Sequence, residues 1–134
     1  MVTLQDISFS YQNFWSAVLK QDAEQLRTFF SDSDSAYINW HCTNEQFTVE
    51  EYIRANCGYP GTWDGTIERA EQIGDLIITA VNVYSTDKTA SIQVVSFIKL
   101  KDDKIIAMDE YWGDDGIPPQ WRLEKKIGTN IHRN

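Results

Sequence analysis

The sequence predicts an α+β fold in one domain, with helices in the first half and an antiparallel meander in the second. Three observations carry this reading. Apolar residues between Ile7 and Lys20 recur at helical spacing, whereas from Thr62 onward β-branched and aromatic residues form runs separated by turn formers. The third is size: 134 residues, 42% of them hydrophobic and 13% aromatic, are enough for one sizeable core. Helices followed by strands, without regular alternation, point to a sheet covered by helices on one face.

The first helix is read over Ile7–Lys20, where Ile7, Tyr11, Phe14, Trp15, Val18 and Leu19 share one face. Gln21-Asp22 breaks the pattern, and Asp22 is suited to cap a second, shorter helix with Ala23, Leu26, Phe29 and Phe30 on its apolar side. Ser31–Ser35 is too rich in turn formers to continue it. Ala36–Cys42 reads as a strand. Thr48-Val-Glu-Glu51 has the capping-box pattern and opens a third helix through Tyr52, Ile53 and Ala55, which ends by Gly58 ahead of Pro60. Four strands follow: Thr62–Gln72, Leu76–Tyr84, Ala90–Leu100 and, after a hairpin turn at Lys101–Lys104, Ile105–Trp112. Gly113–Gly116 reads as a turn with solvated acids. Ile117–Arg122 reads as an extended exit whose Trp121 closes one end of the sheet or packs on a partner subunit.

Charge narrows the partners. The net charge is −8, so the chain repels phosphate backbones and nucleic acid is not an expected partner. The basic residues near the C-terminus, Arg122, Lys125, Lys126 and Arg133, read as a solvated tail. No apolar run approaches the roughly 20 residues of a membrane span, and no membrane partner is expected. Two cysteines, Cys42 and Cys57, are too few for a disulfide framework; with no basic-then-apolar leader at Met1–Asp6, the expectation is a cytoplasmic protein with reduced thiols. His41, Cys42, Cys57 and His132 have no metal-ligand spacing, so neither a metal nor a cofactor is expected.

Phe14–Asp22, Leu26 with Phe29-Phe30, and the hairpin Ser96–Trp112 resemble the nuclear transport factor 2-like (NTF2-like) superfamily, which includes ketosteroid isomerases and SnoaL-like polyketide cyclases. The resemblance covers about residues 5–113 and leaves 114–134 as a C-terminal extension. It implies a cone-shaped α+β barrel, a strongly curved, mostly antiparallel sheet with the N-terminal helices on its concave face. It also implies a small-molecule pocket, with a homodimer through the outer sheet face. Steroid isomerase chemistry is not expected: its helix-1 tyrosine falls on Phe14, its general base near Trp40 and its protonated aspartate near Ser96.

The same matching turns Trp112, Glu110, Met108 and Ile106 toward the cavity and Asp109 and Tyr111 outward, because side chains alternate along a strand. Glu110 is then the leading acid/base, since burial among aromatics raises a carboxyl pKa toward neutrality. The alternative is a structural ion pair with Arg54 or Arg69. His41 is the second catalytic candidate, although alternation from an inward Trp40 sends it outward unless the strand bulges. The expected ligand pocket comprises Phe14, Trp15, Trp40, Asn56, Tyr59, Trp63, Ser96, Met108 and Trp112, with Gly58–Trp63 as an aromatic lid. Cys57 reads as a packed thiol. The residue types of the epoxide-hydrolase branch are present in Arg69, Asp64, Asp109 and Glu110. Two functions stay open: a SnoaL-like enzyme acting by proton transfer on an apolar, ring-containing metabolite, or a non-catalytic ligand-binding or dimerisation module.

Overall fold

The computed structural model describes residues 9–132. Its elements run α1 (Tyr11–Lys20), α2 (Ala23–Arg27), β1 (Tyr37–Trp40), β2 (Glu45–Phe47), α3 (Val49–Cys57), β3 (Trp63–Ile73), β4 (Leu76–Ser85), β5 (Ser91–Lys101), β6 (Lys104–Asp114) and α4 (Gln120–Glu124). The strands form one sheet in the order β2-β1-β6-β5-β4-β3. Only β1 against β6 is parallel; the other pairs are antiparallel. With β2 and β3 as free edges, hydrogen bonds do not close the sheet, and the architecture is the open α+β cone.

Local chemistry sets the helix ends. Ser10 accepts from the Asn13 amide and starts α1 at Tyr11, so Phe9 and Ser10 are not helical as the expected Ile7 start implied; Ile7 itself lies outside the described residues. Gln21 ends that helix in the left-handed conformation, φ 55°. Asp22 caps α2 by accepting from Gln25, and Thr48 and Glu51 make the full reciprocal capping box of α3. The second helix is shorter than its apolar pattern suggests. Phe29 and Phe30 lie beyond it because their backbone joins the sheet: Ile105 donates to the Phe29 carbonyl, and Ser31 to that of Ile105.

Phe14, Trp15, Ala17 and Val18 of α1 are buried with Val81, Val94, Ile98 and Met108 from the inner sheet face. Edge-to-face contacts of Phe14 with Phe29 and Phe30, at 5.8 and 6.1 Å between centroids, fill the narrow end. Gly65 allows the helix to close on the sheet. A Cβ there would stand 3.2 Å from the Leu19 methyl groups and 3.0 Å from the Asn82 carbonyl.

Four expectations need correction. Alternation puts Ile106 inward, but a bulge pairs Leu100 with Ile105 and Lys99 with Ala107. Ile106 is the unmatched residue, parity resets, and Ile105 takes the fully buried position. The strand over Ala36–Cys42 ends at Trp40, where His41–Thr43 turns into a short 3-10 helix leading to β2, which its sequence does not announce. Gly113 and Asp114 belong to β6 rather than to a turn, and Asp115 is held by Ser91, Gln93 and Asn82. Residues 120–124 are helical rather than extended, and Trp121 is exposed beneath the Arg122 guanidinium, 5.5 Å away.

Candidate functional site

Between α1, α3 and the wide end of the sheet lies a cavity of about 230 Å³. Trp15 and Leu19 from α1, Tyr52 and Asn56 from α3, Trp40 from β1, and Trp63 and Tyr59 beside the start of β3 line it together with Glu110, Trp112 and Asp114 of β6. Ile92, Val94 and Val83 form its apolar floor.

Glu110 is the buried acid of this site, 5% exposed. Its strand neighbours are Trp40 on one side and Ser96 on the other, and register brings both side chains to it. Trp40 Nε1 donates to Oε1 at 3.0 Å and Ser96 Oγ donates to Oε2 at 2.5 Å. Desolvation pushes the Glu110 pKa above the ordinary carboxylate value, and the Ser96 and Trp40 hydrogen bonds oppose that shift only partly. Protonation is sterically and chemically accommodated at Oε2, because a serine hydroxyl can turn from donor to acceptor whereas an indole N–H cannot.

No cation neutralises it among the described residues. Arg69 sits on the exposed part of β3 beside Glu71, at 3.4 Å, and Arg54 is exposed in the field of Glu50 and Glu51. The structural ion pair weighed for Glu110 is therefore absent among those residues. Tyr52 faces the same cavity, fully buried; burial, then the nearby Glu110 charge, drives its phenol pKa well up, so the phenol stays protonated.

Not all expected pocket residues meet at this cavity. Trp15, Trp40, Asn56, Tyr59, Trp63 and Trp112 line it. Phe14 and Met108 are fully buried in the core behind it, and Ser96 reaches it only through Glu110. His41 is on the opposite sheet face. Its Nε2 is 2.7 Å from Asp109 Oδ1 and its ring stacks on Tyr111 at 4.3 Å, so no bulge brings it inward and it cannot relay protons with Glu110. Asp109 is partly desolvated, which raises its pKa, yet hydrogen bonds from His41 and Asn39 leave it lowered. The epoxide-hydrolase residue set is likewise dispersed: Arg69 turns to Glu71, Asp64 accepts from the Gly65 amide, and Asp109 faces out. Cys57 is half-buried against the core.

The lid segment is built by its own contacts. Tyr59 and Trp63 meet edge to face at 5.6 Å, and Trp63 Nε1 donates to the Pro60 carbonyl. Gln21 Nε2 donates to the carbonyls of Asn56 and Tyr59, tying the end of α1 to this segment. Tyr52, Gln21 and Asp114 were not singled out from sequence. The signal for Tyr52 was its place on the apolar face of α3; Asp114 was hidden by the turn-like composition of Gly113–Gly116.

This arrangement of a curved sheet, inner-face helices and a cavity at the wide end defines the NTF2-like fold. Solved structures share it. A candidate ketosteroid isomerase from Kribbella flavida matches with a TM-score of 0.74 at 19% identity, covering 92% of this chain and 87% of that one. An NTF2-like protein of unknown function from Burkholderia xenovorans matches at 0.72 and 17% identity, covering 96% and 94%. A candidate SnoaL-like polyketide cyclase from Shewanella putrefaciens matches at 0.62 and 16% identity, covering 82% and 79%. No family model matches the sequence, and no curated protein matches it.

Proposed function

We propose that this chain binds a small, largely apolar, ring-containing metabolite in the cavity and exchanges a proton with it through Glu110. One observation carries the reading: a carboxyl buried at the wall of an aromatic cavity, without a cationic partner among the described residues. A structural carboxylate is ordinarily buried with a cation, since desolvating an unpaired charge is costly. Here neutral donors hold it, and the raised pKa brings it toward the range in which an acid or base works at neutral pH. Trp40 and Ser96 fix its orientation, and Tyr52 is a neutral phenol on the same cavity.

A second reading, a binding module without turnover, draws on His41 facing outward, which leaves Glu110 without a histidine partner among the described residues. The test common to both is the Glu110 titration followed by carboxyl-carbon NMR. An elevated pKa supports proton exchange. A value near the ordinary 4.3 removes Glu110 as an acid at neutral pH and leaves the binding module.

A further inference from the structure

Beyond an apolar, ring-sized ligand, the lining specifies a sign of charge. We infer that the cavity selects an organic cation, a small aryl- or alkylammonium ion, with the Glu110 carboxylate as its counterion and the tryptophans around it. This deepens the proposed function and rests on it.

Three independent features of the lining agree. The first is charge: among the described residues the cavity lining has two acids, Glu110 and Asp114, and no lysine, arginine or histidine. An anionic ligand entering it would face uncompensated repulsion in a poorly solvated space. The second is the set of six aromatic residues, four of them tryptophans. Aromatic faces carry negative potential, and tryptophan holds cations best.

The third is a shortage of donors. Three of the four lining indoles spend their N–H on the protein: Trp15 on Thr79 at 3.0 Å, Trp40 on Glu110 at 3.0 Å and Trp63 on Pro60 at 3.0 Å. Gln21 Nε2 is likewise spent on two backbone carbonyls, and Asn56 Nδ2 on the Val18 carbonyl and the Cys57 sulfur. What remains for a ligand is ring surface, the two carboxylates and few donors, namely the Trp112 indole and the Tyr52 and Tyr59 hydroxyls, which can also accept. A ligand that brings its own N–H donors or a diffuse positive charge satisfies such a wall, and a carboxylate or phosphate does not.

Size limits the ion further. About 230 Å³ is below the roughly 300–1,000 Å³ of sites for drug-sized ligands, so a single ring with a short amine arm is the scale that fits. Asp114 and Tyr59, both exposed, stand where such an ion would enter, and the net charge of −8 favours its approach.

The experiment uses the full chain and three soluble probes of one shape: benzylamine, benzyl alcohol and benzoate, titrated at neutral pH and read by tryptophan fluorescence and calorimetry. Benzylamine is expected to bind about tenfold or more tighter than benzyl alcohol, with benzoate weakest. In E110Q that preference of benzylamine over benzyl alcohol is expected to collapse to within a few-fold. Equal binding of benzylamine and benzyl alcohol by the wild-type protein, or tightest binding of benzoate, overturns the cation selection and leaves a ring-binding cavity intact. If none of the three binds, the ligand-pocket reading falls with it. The wild-type comparison needs no variant, so a misfolded E110Q does not shield the inference.

Discussion

Glu110 shows how one residue's environment becomes a property of the whole protein. Its folded-state pKa is raised by desolvation, so in the pH window above its unfolded value the native state holds more protons than the unfolded state. Stability contributed by this group is therefore present at low pH and lost as pH rises through that window. The Glu110→Gln variant removes the penalty. Its amide oxygen can accept from Trp40 while its amide group donates to a rotated Ser96 hydroxyl. Equilibrium urea unfolding is expected to show E110Q more stable than the wild type at pH 7 and the gap narrowing toward pH 4. A gap that widens on acidification would mean that Glu110 is instead stabilised as a carboxylate. Sequence alternation was enough to put Glu110 and Trp112 on one strand face. It could not reveal that Ser96 and Trp40 are the flanking partners, because cross-strand register depends on where bulges fall.

At the scale of elements, the starts of α2 and α3 are written in short-range chemistry and were readable. Thr48 and Glu51 are three residues apart, and each satisfies a backbone N–H that the first turn of α3 leaves free. Thr48→Ala is expected to cost about 1 kcal/mol in chemical denaturation. It also loosens the placement of Tyr52 and Asn56, which α3 carries to the cavity. The strands were legible as runs of residues but not in detail. The bulge at Ile106 and the turn at His41–Thr43 are set by what packs against them: Phe30 bridges Ile105, and the Cys42 thiol pairs with the Trp112 backbone. Neither partner is near in sequence. The two-residue turn Asp102-Asp103, with φ of 51° and 61°, lay within the expected hairpin because aspartate tolerates the left-handed region.

For the whole molecule, the outer sheet face is the feature without a counterpart. Phe97 and Tyr111 are exposed on it, edge to face at 6.0 Å, beside half-buried Ile78, Ala80 and Val95. The inner positions of the same strands are buried, so the middle of β4 and β5 is apolar on both faces, while Asn82, Gln93, Lys99 and Lys101 make the outer face polar toward its ends. We propose a homodimer through this face. Sedimentation velocity should give twice the chain mass for the wild type, and F97K/Y111K should sediment as a monomer with the cavity's tryptophan fluorescence retained. A wild-type monomer at tens of micromolar would rule the interface out.

The sequence by itself determined the class of fold, the caps that start α2 and α3, the run of the long strands and the inward parity of Glu110, because these depend on neighbours a few residues away and on a side-chain period of two. Tertiary structure alone decided that Glu110 meets Ser96 and Trp40 and not an arginine, that His41 turns outward to Asp109, and that four tryptophans from α1, β1, β3 and β6 face one cavity. Those facts arise from contacts between residues up to 70 positions apart, which local patterning does not encode.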